Sequence, residues 1–301
     1  MKIPVITGPT AAGKTAVVLG LADKHNIEII SADAYQVYKF MNIGTAKPDS
    51  EELKICPHHM IDVYTPDKTY SAGIFFEQAQ RCIKEILERG NLPVVAGGTG
   101  MYVQTLQKGI FDAPERDEVL RAELESRIES EGSEAMHEEL LKLDKTFAEK
   151  VKPTDPTRIL RGFEINLQLG MNVQEAQVKF HRDPDYDYDI YVLTEERQKI
   201  YERINRRVDV MFDLGWEQEV ESLLEMGYDE GLDSFKAIGY REITKCIKEK
   251  RSVSEVSEKI KTNTRNFAKR QLTWFRRMSD VKYIDLADEN SVKQLDKVIL
   301  T

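Results

Sequence analysis

Near the start of the chain, Gly8-Pro9-Thr10-Ala11-Ala12-Gly13-Lys14-Thr15 fits the pattern G-x-x-x-x-G-K-[ST], in which backbone N–H groups of a glycine turn cradle phosphate oxygens. The flanks turn that pattern into a constraint on the fold. Ile3-Pro4-Val5-Ile6-Thr7 is short, apolar and β-branched, and reads as a buried strand. After the turn, an apolar run from Ala16 to Ala22 continues into Asp23 and Lys24 and reads as a helix. Strand, glycine turn and helix in that order aim a helix N-terminus, with its partial positive charge, at an anion. The sequence therefore predicts a phosphorylated ligand.

Composition narrows the setting. A chain of 301 residues with 41% hydrophobic and 32% charged residues is that of an ordinary soluble globular protein. No window approaches the roughly 18 consecutive apolar residues of a membrane helix, and a strand begins almost at once, where a signal peptide would need an apolar h-region. A cytoplasmic protein with no membrane partner is expected. Cys56, Cys82 and Cys246 are far apart and in no metal-ligand spacing. The pair His58-His59 lacks the context of a catalytic metal motif. A net charge of −9 argues against indiscriminate nucleic-acid binding. The charge is uneven, however: residues 259–277 hold no Asp or Glu, whereas 115–149 is dominated by Glu.

Further strands are expected at Ile27-Glu28-Ile29-Ile30, around His58-His59-Met60-Ile61-Asp62, at Leu92-Pro93-Val94-Val95-Ala96, from Tyr188 to Leu193 and from Val281 to Asp285. The fold class is α/β: a phosphate-loop core like that of nucleoside-triphosphate hydrolases, with a parallel sheet and helices on both faces. An all-helical insertion is expected at 114–186, leaving 1–113 and 187–301 as the core. Within the insertion, Leu120, Leu124, Ile128, Met136, Leu140 and Leu141 have the spacing of inward positions, and Gly132 marks a break between two helices. In parallel α/β sheets ligands lie outside the carboxyl ends of the strands. That edge would carry Lys14, Asp33 and a second glycine loop, Gly97-Gly98-Thr99-Gly100, whose glycines would let backbone approach a ligand. Asp33 there could order a metal shell, accept a substrate hydrogen bond or act as a general base, or else cap the next helix. A helix over 196–214 carries Arg197, Arg203, Arg206 and Arg207.

An ATPase would also want an acid after the apolar third strand, where glycines and Thr99 stand instead. A small-molecule kinase using ATP is the alternative reading of the phosphate loop. Several blocks point elsewhere. Ser31-Ala32-Asp33-Ala34-Tyr35-Gln36, Asn42-Ile43-Gly44-Thr45-Ala46-Lys47-Pro48, His58-His59-Met60-Ile61-Asp62, Gly97-Gly98-Thr99-Gly100-Met101-Tyr102, Arg203-Ile204-Asn205-Arg206-Arg207-Val208, Ala237-Ile238-Gly239-Tyr240-Arg241 and Lys269-Arg270-Gln271-Leu272-Thr273-Trp274-Phe275-Arg276 follow one another. In this order, together with the phosphate loop, they resemble the bacterial tRNA dimethylallyltransferases over nearly the whole chain.

That resemblance implies transfer of a dimethylallyl group from dimethylallyl diphosphate to the exocyclic amine of the adenosine just 3′ of the anticodon. The loop Gly8, Pro9, Thr10, Ala11, Ala12, Gly13, Lys14 and Thr15 would then grip the donor's diphosphate, with Lys14 neutralising the leaving group, Thr10 touching it and Thr15 helping to hold Mg²⁺. Asp33 would be the general base, and Arg203 or Arg207 would reach the diphosphate. The tRNA anticodon stem-loop would meet Asp33, Ala34, Tyr35, Gln36, Thr99, Arg121, Arg158, Arg161, Lys236, Gly239, Tyr240 and Arg241, with Arg116 and Arg127 as further contacts. Phe267, Trp274 and Phe275 are expected to pack into the core beneath a basic face, and the protein is expected to be a monomer.

Overall fold

Strand β1 (Ile3–Thr7) is buried at every position, as a strand covered on both faces must be. The computed structural model describes residues 2–22, 24–112, 117–288 and 295. The expectations for Asp23, for Arg116 and for the start of the insertion at residue 114 lie outside the described residues. From β1 the chain runs through α1 (Lys14–Ala22), β2 (Ile27–Ser31), α2 (Ser50–Ile55), β3 (His58–His59), α3 (Ala72–Glu88), β4 (Leu92–Gly97) and α4 (Gly100–Lys108). It continues through β5 (Ile110–Phe111), α5 (Glu118–Glu131), α6 (Ser133–Leu143), α7 (Lys145–Ala148), α8 (Pro156–Leu169), α9 (Val173–Lys179) and β6 (His181–Arg182). The last stretch is β7 (Tyr188–Thr194), α10 (Arg197–Asp213), α11 (Trp216–Glu225), a 3₁₀ turn (Asp233–Lys236), α12 (Tyr240–Lys248), α13 (Ser254–Phe275) and β8 (Val281–Asp285).

The chain divides into two compact units, residues 1–108 with 184–301, and residues 109–183. The first holds a six-stranded sheet in the order β3-β2-β4-β1-β7-β8, with every pairing parallel. Ile6, Val94 and Leu193 pack with Val18 and Leu21 of α1. Val5, Val95 and Val192 alternate with them and are fully buried, so the sheet is covered on both faces. Register decides what happens at the edge. Thr7 pairs with Gly97, and Ser31 with Ala96, so β1, β4 and β2 end level and deliver their following loops to one place. The Thr7 hydroxyl donates to Gly97 O (2.7 Å) and the Ala32 N–H to Ala96 O (2.8 Å), which fixes that alignment.

In the second unit, α5, α6, α7 and α8 enclose Leu124, Met136, Leu140, Ile159 and Phe163, with Leu120, Ile128 and Leu141 packed at the margin. Gly132, at φ +87°, makes the break between α5 and α6. Gly162 lets α8 come close to α6 and α7, since a methyl there would lie 2.8 Å from both Leu140 and Phe147 side chains. The antiparallel pair β5–β6 ties the ends of this unit together, a feature that two-residue strands do not announce in sequence. No helix among the described residues is long and apolar enough to cross a membrane.

One polar group is sunk in the first unit at the start of β2. Glu28 accepts two hydrogen bonds from Arg89 (2.9 and 2.7 Å) and one from Asn91 (2.8 Å), and His59 Nε2 lies 2.6 Å from it. The Arg89 hydrogen bonds lead in holding its carboxyl down at about 2 against the opposing effect of burial. A carboxyl whose folded value is depressed adds stability above its unfolded value and loses it as pH falls through the folded one. Glu28→Gln should therefore destabilise the protein by about 2–3 kcal/mol at pH 7, the usual scale for buried charged hydrogen bonds. Urea unfolding should show that deficit shrinking as pH is lowered from 4.5 towards 2.

Candidate active site

The phosphate loop leaves β1 through Gly8, whose φ of +144° favours glycine and whose missing side chain lets β7 approach: a methyl would sit 2.6 Å from Leu193 O. Ala11 and Gly13 also take positive φ (62° and 86°), and Ala12 N–H closes the turn onto Pro9 O (3.2 Å). Helix α1 then opens, its first bond running from Val17 N–H to Gly13 O. The earlier N–H groups of a helix have no intrahelical acceptor and point outward as anion donors. Lys14 folds back so that Nζ donates to Gly8 O (3.1 Å) and Pro9 O (2.9 Å). Burial, then the nearby Arg207 charge, bring Lys14 down to about 8, with Asp33 acting against them.

Two cavities meet at this edge. One, of about 420 Å³, is lined by the loop residues Thr10, Lys14 and Thr15 together with Gln36, Arg203 and Gly98. The other, of about 290 Å³, is lined mainly by apolar and aromatic groups, among them Tyr35, Met211, Trp216, Ile238 and Phe267. Thr10, Asp33, Thr45 and Arg207 line both. This shared wall brings together residues from four separate parts of the sequence.

Asp33 caps a tight turn, its Oδ1 accepting from the N–H groups of Tyr35 (2.9 Å) and Gln36 (3.3 Å). The turn is not the start of a helix, and no hydrogen bond engages Oδ2 among the described residues. Thr99 holds the same turn by accepting from Ala34 N–H (3.1 Å). Gln36 is braced by Ser31 (2.9 Å) and donates to Thr45 O (3.3 Å) and Ala46 O (3.0 Å), tying Thr45 into the wall. Of the two arginines the sequence left open, Arg207 is half-buried and donates to the Thr10 hydroxyl. Arg203 also lines the larger cavity but is half-exposed and paired with Glu195 at 3.0 Å.

Other expected residues lie differently. The missing side chains of Gly97, Gly98 and Gly100 make room for protein, since a methyl would meet Ala32 O at 2.1 Å, Gln271 Nε2 at 2.6 Å and the Trp274 ring at 2.4 Å, while Gly97 and Gly98 also line the larger cavity. Tyr240 is fully buried and its hydroxyl donates to Glu219 (2.7 Å), so it supports the surface instead of forming it. Gly239, at φ +99°, lies against the Trp216 ring. Lys236 lines the smaller cavity and pairs with Asp233, and Arg241 is exposed. Of the three aromatics on α13, Phe275 is in the core, Phe267 borders the smaller cavity and Trp274 is exposed over Gly100. Within the helical unit, Arg121 pairs with Glu125 and Glu164, Arg161 with Glu164, and Arg158 with Asp155.

Sequence reasoning missed Thr45, Gln271, Trp216 and Glu219. The first two stood inside blocks already singled out. Glu219 is one acid in an acidic helix, and only its three-dimensional partners distinguish it: N–H groups of Asn42 (2.7 Å), Ile43 (2.7 Å) and Gly44 (3.3 Å).

Chemically, the larger cavity offers helix N–H groups, a lysine, an arginine and a hydroxyl to an anion, while Asp33 faces the junction with an apolar chamber. Magnesium accompanying a diphosphate keeps most of its shell from water and phosphate. The Thr15 hydroxyl on the cavity wall fits that modest demand, and the described residues hold no cluster of three or more His, Cys, Asp or Glu of the kind that binds a metal unaided. Because Lys14 loses its proton above about 8, inorganic pyrophosphate should bind with constant affinity below that pH once its own protonation is corrected for. Above it, affinity should weaken by about tenfold per pH unit if one proton is required. In Arg207→Met the break should move to higher pH, since a repelling charge has gone, even as overall affinity drops. Calorimetric titration between pH 7 and 9.5 checks both.

A family profile described as IPP transferase matches residues 36–278. The tRNA dimethylallyltransferase of Acetivibrio thermocellus is 40% identical, over 99% of this chain and 97% of that protein. That of Geobacter sulfurreducens is 41% identical over 94% and 92%. Among solved structures, the tRNA isopentenylpyrophosphate transferase of Bacillus halodurans superposes with a TM-score of 0.70 at 36% identity, covering 99% of this chain and 95% of that one. A eukaryotic dimethylallyltransferase acting on tRNA gives 0.82 at 27% identity, over 98% of this chain and 77% of its own. These relatives lend nothing to the kinase reading. With the α/β core and phosphate loop in place, the match over nearly the full length means that the chain belongs to the IPP transferase family, alongside the tRNA dimethylallyltransferases.

Proposed function

We propose that this protein transfers the dimethylallyl group of dimethylallyl diphosphate to the exocyclic amine of the adenosine immediately 3′ of the anticodon in tRNA. The observation that carries the reading is the wall of Thr10, Asp33, Thr45 and Arg207 shared by a cationic cavity and an apolar, aromatic one. Two substrates of opposite character, a diphosphate and a flat base, can meet across such a wall.

The diphosphate occupies the larger cavity, held by the N–H groups opening α1, by Lys14 and by Arg207 with Thr10. Magnesium on the Thr15 side, when bound, adds positive charge to the leaving oxygens. The adenine is extruded from the anticodon loop, as enzymes acting on bases require, and an unpaired loop makes that extrusion less costly than a duplex would. Tyr35 and Phe267 give the smaller cavity flat walls to receive it, with the Trp216 ring buried behind. The amine nitrogen bonds to the allylic carbon as the carbon–oxygen bond to diphosphate breaks. Negative charge grows on the departing oxygens, where fixed cations and N–H dipoles stabilise it most, and Asp33 Oδ2 takes the proton the amine releases. Exposed Arg241, Arg270, Arg276 and Arg277 offer the tRNA backbone local positive charge on an otherwise acidic protein. On this reading the enzyme works as a cytoplasmic monomer.

Incubation with labelled dimethylallyl diphosphate and tRNA should place label in the tRNA. Asp33→Asn separates chemistry from folding, since its amide oxygen still caps Tyr35 and Gln36 but is a poor base. Its kcat should fall by about two orders of magnitude or more, with pyrophosphate affinity within a few-fold of wild type. Undiminished turnover would refute the role of Asp33.

A further inference from the structure

Gln271 lies in the last turns of α13, a basic helix, yet is itself 6% exposed. Its Oε1 accepts the N–H of Thr10 (2.8 Å), and its Nε2 donates to Gly98 O (2.7 Å). One planar carboxamide thus supplies the acceptor for the phosphate loop and the donor for the loop after β4, a pairing that its two unlike ends make possible. Thr10 in turn holds Arg207 through its hydroxyl. There is no slack in the arrangement: the space beside Gly98 is taken by Gln271 Nε2, at 2.6 Å from where a methyl would stand, and by Lys14 Nζ at 3.5 Å.

We propose that Gln271 is a positioning residue whose carboxamide braces the phosphate loop against the 97–100 loop and so sets where Thr10 and Arg207 meet the departing diphosphate. The proposal rests on the prenyl-transfer reading given above. Thr10 N–H is withdrawn from the anion's donors and used as an anchor, so the loop is fixed before any ligand arrives. A carboxylate in place of the amide would have no donor for Gly98 O and would stand beside Lys14. A thioether would leave Thr10 N–H and Gly98 O without partners in a buried place.

The test compares wild type, Gln271→Met and Gln271→Glu by steady-state prenyl transfer, pyrophosphate titration and thermal unfolding. In Gln271→Met, kcat should drop by about tenfold or more, as small misplacements of binding groups do, while pyrophosphate affinity changes less than about threefold and the protein stays folded. Gln271→Glu should bind pyrophosphate more weakly at pH 8. Its kcat should fall at least as far as that of Gln271→Met, because an ionised carboxyl, favoured by Lys14 of α1 and Arg207 of α10, offers Gly98 O no donor. Gly98→Ala, whose methyl displaces the amide while α13 keeps its packing, should show the same kcat loss should Gln271→Met not fold. Wild-type turnover in Gln271→Met, wild-type turnover in Gly98→Ala where Gln271→Met does not fold, or wild-type turnover in Gln271→Glu would each overturn the proposal. If wild type itself transfers no label, the functional reading falls instead, and pyrophosphate binding by Gln271→Glu at wild-type strength would still remove the brace.

Discussion

Lys14 and Arg207 line the same cavity half-buried, each lowered in basicity chiefly by desolvation, and Asp33 is the carboxylate that acts favourably on both. Two cations placed together away from water are unfavourable unless something of opposite charge joins them. In the free protein Lys14 satisfies its ammonium with Gly8 O and Pro9 O, and Arg207 leans on Thr10. Neither arrangement neutralises charge. An anion placed between them would, and relief of that repulsion is binding energy that a site can spend on orientation.

Holding such a site open requires a stiff surround, and it comes from distant sequence. The level ends of β1, β4 and β2 set the floor. The wall at Thr45 is set from the far side by α11. Glu219 gathers three successive N–H groups of the 42–44 segment, and Trp216 fills the space that Gly44 leaves, a methyl there coming within 2.1 Å of the indole nitrogen. Gly239 meets the same ring from α12's N-terminus at 2.1 Å. A single indole thus spaces two glycine turns, and Tyr240 locks the group through Glu219. The two glycines are dictated by tryptophan packing, which a linear sequence displays only as three unrelated residues.

This explains what could be read in advance. Strands β1, β2, β4 and β7 were legible because parallel strands buried on both faces are mainly apolar runs, and β8, largely exposed at the sheet edge, because Val281, Tyr283 and Asp285 alternate with Lys282 and Ile284 in a short β-prone run. The phosphate loop was legible because its glycines, lysine and threonine are local and the flanking elements are unambiguous. Asp33 was placed by the rule that ligands gather at strand ends. The role of the 97–100 glycines was not legible: glycine reports that something comes close, not whether it is a ligand, a backbone or a tryptophan. The choice between Arg203 and Arg207 was also beyond spacing, since both face the larger cavity and are told apart only by their surroundings: Glu195 holds the exposed Arg203, whereas Thr10 holds Arg207 at the wall of both cavities. Three aromatics on one helix could not be sorted into core, chamber and surface without the partner elements.

The helical unit poses the remaining problem, since its many glutamates are at odds with an RNA partner. Its arginines are not equivalent. Arg121 and Arg161 both close on Glu164, which is 2% exposed. Drawing either away would leave a buried carboxylate partly unpaired, a cost of several kcal/mol when the pairing is lost outright. Arg158 is held by Asp155 at 3.6 Å with its side chain 63% exposed, and Arg127 pairs with two half-exposed glutamates. An exposed pair such as Arg158–Asp155 is worth about 0–1 kcal/mol, so a phosphate can displace the carboxylate at little cost, whereas Arg127 grips Glu131 with two nitrogens and Glu139 with one of them. Arg121, Arg161 and Arg127 are thereby suited to shaping the helices, and Arg158 to exchanging an aspartate for a phosphate. An acidic unit built in this way repels nucleic acid in general, while still offering the Arg158 guanidinium to a backbone whose shape brings a phosphate to it.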